Sequence, residues 1–365
     1  MAPLGIAVIG SGLFVAESHI PAIEANSELV TLKALYSRSL SSAKSLLSDI
    51  PKTLTKDNEI TIYTDDSATP SYKDLLARDD ISGVVIALPI PAQPTYIKQA
   101  LEAGKHVLSE KPIAKDLADA QELLSWYESK RAASSSFPTW GVAENWRHLP
   151  RFHYGASQIA IPESLGRILT FRARVQLLVK DDGSNKYFLT SWRKTPSYQG
   201  GFLLDGGVHF LAGVRVLLAG GKTKVSRVSA FTSLSRQWLP PIDTLNGTVK
   251  CTNGAVGTVD ISFGASGPRA SEFVVVCENG IVDVGFDRTT IKFQDGRVEE
   301  KSFENDGNGV KAEIKVWSEA IGATGGVKEA DVLKPQEALA DLEFLEAMIK
   351  SGEADGAPQD LKLQI

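Results

Sequence analysis

The stretch Leu4-Gly5-Ile6-Ala7-Val8-Ile9-Gly10-Ser11-Gly12-Leu13-Phe14-Val15 decides the fold. Leu4–Ile9 is a short, continuous apolar run that stops at a glycine, and the residues from Val15 to Ala25 carry helical spacing. A buried strand that passes through a glycine-rich turn into a helix is a phosphate-binding junction. Its first glycine allows the tight turn, its second lets backbone approach a pyrophosphate, and the helix N-terminus faces the anion. Gly10 and Gly12 meet those two requirements, with Ser11, Leu13 and Phe14 completing the loop. The third small position is filled by the larger Val15, so the following helix is expected to stand slightly off the sheet.

Reading outward from this junction, strand-like and helix-like segments alternate. Val30–Tyr36, Ile60–Tyr63, Val84–Leu88, His106–Leu108 and Thr139–Val142 read as strands, and Leu40–Asp49, Tyr72–Ala77, Thr95–Ala103 and Leu117–Arg131 as helices. Continuous apolar strands separated by helices predict a parallel sheet covered on both faces, an α/β Rossmann domain. From about Gly166 the pattern changes. Arg167–Val179, Val225–Ser233, Thr244–Cys251, Val256–Phe263, Glu272–Cys277 and Gly280–Gly285 alternate in polarity, with turn pairs such as Asn253-Gly254 and Asn279-Gly280 between them. Strands in succession without crossover helices predict an α+β domain with a large, mostly antiparallel open sheet. Helices around Val208–Leu218 and Pro335–Lys350 cover one face of it, and the acidic stretch Glu299–Asn308 reads as a solvated loop. The expected division is residues 1–142, a dinucleotide-binding domain, and residues 143–365, a substrate-binding and oligomerisation domain.

Composition narrows the function classes. A chain of 365 residues suits about two domains. With 39 basic against 44 acidic residues and no polybasic run, neither nucleic acid nor an anionic membrane surface is an expected partner. Cys251 and Cys277 each sit in a β-like run and read as buried thiols of a reducing compartment. Met1-Ala2-Pro3 leads straight into a strand, and no apolar run approaches the ~18 residues of a membrane span, so a cytoplasmic location is expected. His148 and His153 lack a Cys or carboxylate partner at ligand spacing, so no metal is expected.

The end of the second strand chooses the dinucleotide. An Asp or Glu there would bond the ribose 2′-hydroxyl and select NAD. This chain reads Tyr36-Ser37-Arg38-Ser39 instead. Arg38 can hold a 2′-phosphate by charge-assisted bonds or stack on adenine, and Ser37 and Ser39 can donate to the phosphate. NADP(H) is therefore expected in preference to NAD(H).

At Ser109-Glu110-Lys111-Pro112, following Ala103-Gly104-Lys105-His106-Val107, the sequence resembles the glucose–fructose oxidoreductase/inositol dehydrogenase (Gfo/Idh/MocA) family. Other features of that family follow in order along nearly the whole chain. They include His19 after the glycine loop, Leu88-Pro89 after the fourth strand, Ala143-Glu144-Asn145-Trp146-Arg147, Trp192-Arg193 and Gly200–His209. A fungal and yeast NADP(H)-dependent subgroup is the nearest likeness, through Val142–Trp146, Asn185–Tyr187 and Asp205–His209.

The resemblance implies that Lys111, Asp205 and His209 form the catalytic group of an oxidoreductase. It also implies that Leu88, Pro89, Gln93, Glu110 and Lys111 lie toward the cofactor, and that Trp192 and Arg193 approach the cofactor or substrate. Chemistry agrees independently: reducing a carbonyl needs an acidic or cationic donor beside the developing alkoxide, and oxidising an alcohol needs a base. Asp205 and His209 are four residues apart at a helix start and can share one face. His209 can move the proton near neutral pH, while Asp205 binds substrate or orients His209. Lys111, at the carboxyl end of a parallel strand, would bond the reacting oxygen. Tyr187 lines the substrate pocket or packs.

Two departures stand out. Gln93 occupies the family's histidine position after the fourth strand, and Ala212 replaces the aspartate that many sugar dehydrogenases carry after the histidine. The expected substrate is a small carbonyl or alcohol, sugar-derived, acted on by a homodimer as the family implies. The competing reading is a dinucleotide-binding regulator resembling the fungal galactose-pathway repressor of the same family.

Overall fold

The computed structural model describes residues 2–56, 59–66, 69–161, 163–323 and 330–365. The chain divides into two compact units, Met1–Glu144 with Gly309–Ala338, and Asn145–Asn308 with Leu339–Ile365.

The first unit is built on β1 (Leu4–Ile9), β2 (Val30–Ser37), β3 (Thr61–Thr64), β4 (Gly83–Ile86), β5 (His106–Glu110) and β6 (Trp140–Ala143). The sheet order is β3-β2-β1-β4-β5-β6 and every neighbouring pair is parallel. This is the Rossmann order, with its switch point between β1 and β4. Ile6, Ala7, Val8 and Ile9 are completely buried, as expected of a strand covered on both faces. Val15 opens a π-helical turn, Val15–His19, before the short α-helix Ile20–Glu24. The larger third residue of the loop is thus buried at a widened turn rather than in a regular helix.

The single boundary expected after residue 142 does not describe this unit. The segment Gly309–Ala338 returns to it, and the helix Val310–Ile321 buries Val310, Ile314, Trp317 and Ile321 in the same core as Ile6 and Val8 of β1. Trp317 lies so close over β4 that a Cβ on Gly83 would sit 2.8 Å from its Cζ2. A stripe at i, i+4, i+7 and i+11 says only that a helix is amphipathic, not which core receives it.

The second unit holds β7 (Ile168–Gln176), β8 (Val225–Ser233), β9 (Thr244–Cys251), β10 (Val256–Ser262), β11 (Ser271–Cys277), β12 (Gly280–Val284), β13 (Arg288–Phe293), β14 (Val298–Ser302) and β15 (Gln359–Asp360). They form one sheet in the order β14-β13-β12-β11-β7-β10-β9-β8-β15, in which β7 and β10 are parallel and the remaining pairs antiparallel. The expected solvated loop at Glu299–Asn308 is corrected in its first part. Residues 299–302 belong to β14, whose side chains are all exposed, so no alternation of polarity marks it as a strand.

The helix Gly201–Gly220 is longer than the expected Val208–Leu218, and it comes nearer to a membrane span than the sequence reading allows. Its 18-residue apolar window is 72% buried, which makes it a core helix of this unit. Its glycines explain how it beds down. A Cβ on Gly206 would lie 2.6 Å from Phe263 Cζ, and one on Gly207 would lie 3.3 Å from Leu345 in the helix Pro335–Glu353. Cys251 and Cys277 are free, buried thiols, each pushed up to about 11 by burial.

Candidate functional site

The loop after β1 is shaped by contact with the neighbouring strand end. Gly10 has φ +125°, and a Cβ there would sit 2.3 Å from the carbonyl oxygen of Ala87. Gly10 is therefore required by backbone crowding. At Gly12, by contrast, nothing lies within 4 Å of a Cβ position, which leaves open space beside the loop. Ser11 and Ser37 share a hydroxyl hydrogen bond of 2.8 Å that ties the loop to the end of β2. Arg38 is exposed beside them, and Ser39 caps the helix Leu40–Asp49 by accepting from the Ser42 amide at 3.3 Å. A cation, a seryl hydroxyl and a helix N-terminus thus adjoin, with no carboxylate among residues 36–39.

Leu88 and Pro89 are half-buried after β4, and Gln93 begins the helix Gln93–Glu102. Gln93 is 1% exposed, yet neither atom of its amide has a hydrogen-bond partner. A buried primary amide without partners fits a ligand that presents both a donor and an acceptor, as a carboxamide does. Together with the open cradle at Gly12, this fits a nicotinamide dinucleotide.

At the end of β5, Glu110 links the loop region to Lys111. His19 Nε2 donates to Glu110 Oε1 at 2.8 Å, and the Lys111 amide donates to Glu110 Oε2 at 3.2 Å. His19 is fully buried and meets Phe14 edge-on at 5.3 Å. Lys111 itself is half-buried. Glu313, on the returning helix Val310–Ile321, is fully buried with neither carboxyl oxygen hydrogen-bonded. Burial first, and then the charges of Glu110 and Glu144, hold its proton on well above the ordinary carboxyl range.

This gives a stability prediction. In the unfolded chain Glu313 releases its proton near pH 4.5, whereas the folded protein keeps it. Stability should therefore fall as pH rises from about 4.5, by at most ~1.4 kcal/mol per pH unit for one proton. Glu313→Gln should melt at a higher temperature than the native protein at pH 8, with the gap closing toward pH 4.5. Parallel melting curves for the two proteins across that range would show that Glu313 is ionised in the fold.

In the second unit, Arg193, Asp205, Trp192 and Tyr187 come together. Arg193 Nε donates to Asp205 Oδ2 at 2.7 Å, and its guanidinium lies 4.0 Å from the Trp192 ring centroid and 5.9 Å from that of Tyr187. Asp205 is 6% exposed, so its charge is held by this partner. His209, one turn further along the same helix, stacks on Trp146 with 6.0 Å between centroids and 19° between planes. Trp146 is itself packed among Phe152, Phe210 and Phe273, which fixes the platform under the imidazole.

Arg193, expected to approach the cofactor or substrate, has its Nε on Asp205. Three site features escape the sequence reading. His19 and Trp146 register there only as family marks, and Glu313 looks like any surface acid of an amphipathic helix. Among the described residues no group of three or more His, Cys, Asp or Glu side chains is arranged to hold a metal ion.

Comparison with known proteins adds the following. Residues 4–136 match the oxidoreductase family with an NAD-binding Rossmann fold, and residues 158–283 match the GFO/IDH/MocA C-terminal domain. Dehydrogenase FPY6 of Fusarium mangiferae is 39% identical, covering 99% of this chain and 100% of the relative. The uncharacterized protein YMR315W of Saccharomyces cerevisiae is 31% identical, covering 98% of both. A D-xylose 1-dehydrogenase (NADP(+)) of Haloferax volcanii is 24% identical over 80% of this chain and 84% of its own. Among solved structures, an oxidoreductase from Thermotoga maritima superposes with a TM-score of 0.82 at 27% identity, covering 98% of both chains.

Proposed function

Because the chain belongs to the Gfo/Idh/MocA family of oxidoreductases, we propose that it is an NADP(H)-dependent enzyme acting on a small, sugar-derived carbonyl or alcohol. The observation that carries this reading is the built environment of Asp205 and His209. A buried carboxylate is held by Arg193, and an imidazole stands one helical turn away on an aromatic platform. A protein that only sensed the dinucleotide would have no need of that arrangement.

The roles follow from the residues. Gly10–Phe14 would hold the pyrophosphate, Ser37 and Arg38 would hold the 2′-phosphate, and Gln93 would orient the carboxamide. When bound, the dinucleotide supplies or accepts a hydride. Lys111 donates to the oxygen of the reacting carbon and stabilises negative charge there. His209 protonates that oxygen when a carbonyl is reduced and removes the proton when an alcohol is oxidised. Asp205 binds substrate or fixes His209, and Arg193 and Tyr187 border it.

NADP(H) in preference to NAD(H) rests on the Ser37-Arg38-Ser39 turn at a capped helix start, and the NADP(+)-named relative points the same way. The free buried thiols suit a cytoplasmic setting. The uncovered sheet face around Thr170, Arg172, Val256 and Val274 is the surface proposed for a homodimer, and sedimentation at micromolar concentration tests it.

Hydride transfer itself is tested with NADPH deuterated at both C4 positions, supplied with aldoses, aldehydes and ketones. The reading expects an alcohol product one mass unit heavier. Absence of label in every product would refute it.

A further inference from the structure

Tyr198 lies two residues before the turn that opens the helix bearing Asp205 and His209. Gly200 and Gly201 take φ +67° and +52°, and a Cβ on Gly201 would sit 2.2 Å from the carbonyl oxygen of Pro240. That turn is fixed by backbone contact, so the segment before it and the first helical turn after it are held together. Tyr198 is 7% exposed and its ring lies 6.2 Å from that of Trp192, which in turn stacks on Arg193. Its hydroxyl is buried and has no hydrogen-bond partner. Asp205 and Arg193 are the charged groups that act on it, the former favouring the protonated phenol and the latter opposing it, after the larger effect of burial.

A buried hydroxyl left unpaired is costly, and native folds keep such a group where something else completes it. Here the neighbour is an ion pair, with Arg193 Nε on one Asp205 oxygen at 2.7 Å. Beside this pair, the protonated phenol offers a neutral donor. An alcohol hydroxyl can donate to a carboxylate and accept from a phenol at once. An alkyl group would leave Tyr198 unpaired.

Resting on the oxidoreductase reading above, we propose that Tyr198 contacts the substrate, donating to a hydroxyl of a neutral polyol or sugar and favouring substrates that carry that hydroxyl. Neither the family match nor the sequence reading singles this residue out. Tyr198 thereby sets specificity, while the proton and hydride steps belong to other groups.

The test compares the full-length native protein with Tyr198→Phe, measuring kcat/KM with NADP⁺ for D-xylose, D-glucose and the single-deoxy forms of glucose. Melting temperature and NADPH affinity are measured alongside. The expected result is a loss of about tenfold in kcat/KM for the parent sugar, the worth of one hydrogen bond. That loss should disappear for the one deoxy sugar lacking the contacted hydroxyl. Melting temperature should equal or exceed that of the native protein, because the removed hydroxyl had no partner within the fold, and NADPH affinity should be unchanged.

A lowered melting temperature with equal losses on every sugar would make Tyr198 structural and overturn the proposal. Full kcat/KM in Tyr198→Phe, as for a hydroxyl that meets only water, would overturn it too while leaving the oxidoreductase reading intact. No turnover of any sugar by the native protein, in either direction, would remove the sugar-oxidoreductase reading and this proposal with it.

Discussion

Lys111→Ala and His209→Ala should each lower turnover by about 10²–10⁴-fold, the usual contribution of a positioned donor or general acid. Both variants should fold. Lys111 is half-buried at a strand end, and the anchoring bond to Glu110 comes from its backbone amide, which alanine keeps. His209 is half-buried on the helix Gly201–Gly220, and alanine favours that helix. If both act on one reacting oxygen, the double variant should lose far less than the product of the single losses, as residues that work as a unit do. Steady-state rates on the best substrate of a carbonyl panel decide this. NADPH affinity separates the roles: His209→Ala should retain it, whereas Lys111→Ala should lose some. Full activity in His209→Ala would move the proton to another group and remove the family-based assignment.

Arg38→Ala should weaken NADPH binding by about tenfold to a hundredfold, the range for one charge-assisted contact to phosphate, and leave NADH binding nearly unchanged. Arg38 is exposed beside the Ser11–Ser37 hydroxyl pair and one residue before the Ser39 helix cap, so its removal disturbs no buried contact. Calorimetric titration of both dinucleotides measures the difference. Equal weakening for the two would mean that Arg38 stacks on adenine, and the preference for NADP(H) would need another source.

Much of the fold was legible because its signals are local. An apolar run ending in Gly10 and Gly12 marks β1 and its loop, and strands alternating with helices mark the parallel sheet with it. The family motifs were legible for the same reason, since Glu110-Lys111-Pro112 and Asp205–His209 are each compact in sequence. What stayed hidden depends on long-range partners. The return of Gly309–Ala338 to the first unit follows from which core accepts Trp317 and Ile314, a choice absent from the helix's own pattern. β14 is exposed along its length, so only pairing with β13 makes it a strand.

The start of the helix Gly201–Gly220 was missed for a different reason. Glycine is a weak helix former, whereas at Gly201, Gly206 and Gly207 the close approach of Pro240, Phe263 and Leu345 crowds the space a side chain would need. Glu313 and Tyr198 illustrate the limit for sites. A glutamate in an amphipathic helix and a tyrosine before a glycine turn look ordinary until burial removes their partners. Gln93 sits between these cases: its position was readable, but its unpaired amide was not.

The most direct measurement is NADPH consumption, followed at its nicotinamide absorbance, by the native protein against aldehydes, ketones and aldoses. The account predicts saturable turnover of at least one hydroxylated carbonyl compound with NADPH, much less with NADH, and loss of that turnover in His209→Ala. Tight NADPH binding with no consumption across the panel would contradict it, and would make this chain a dinucleotide-binding regulator rather than an enzyme.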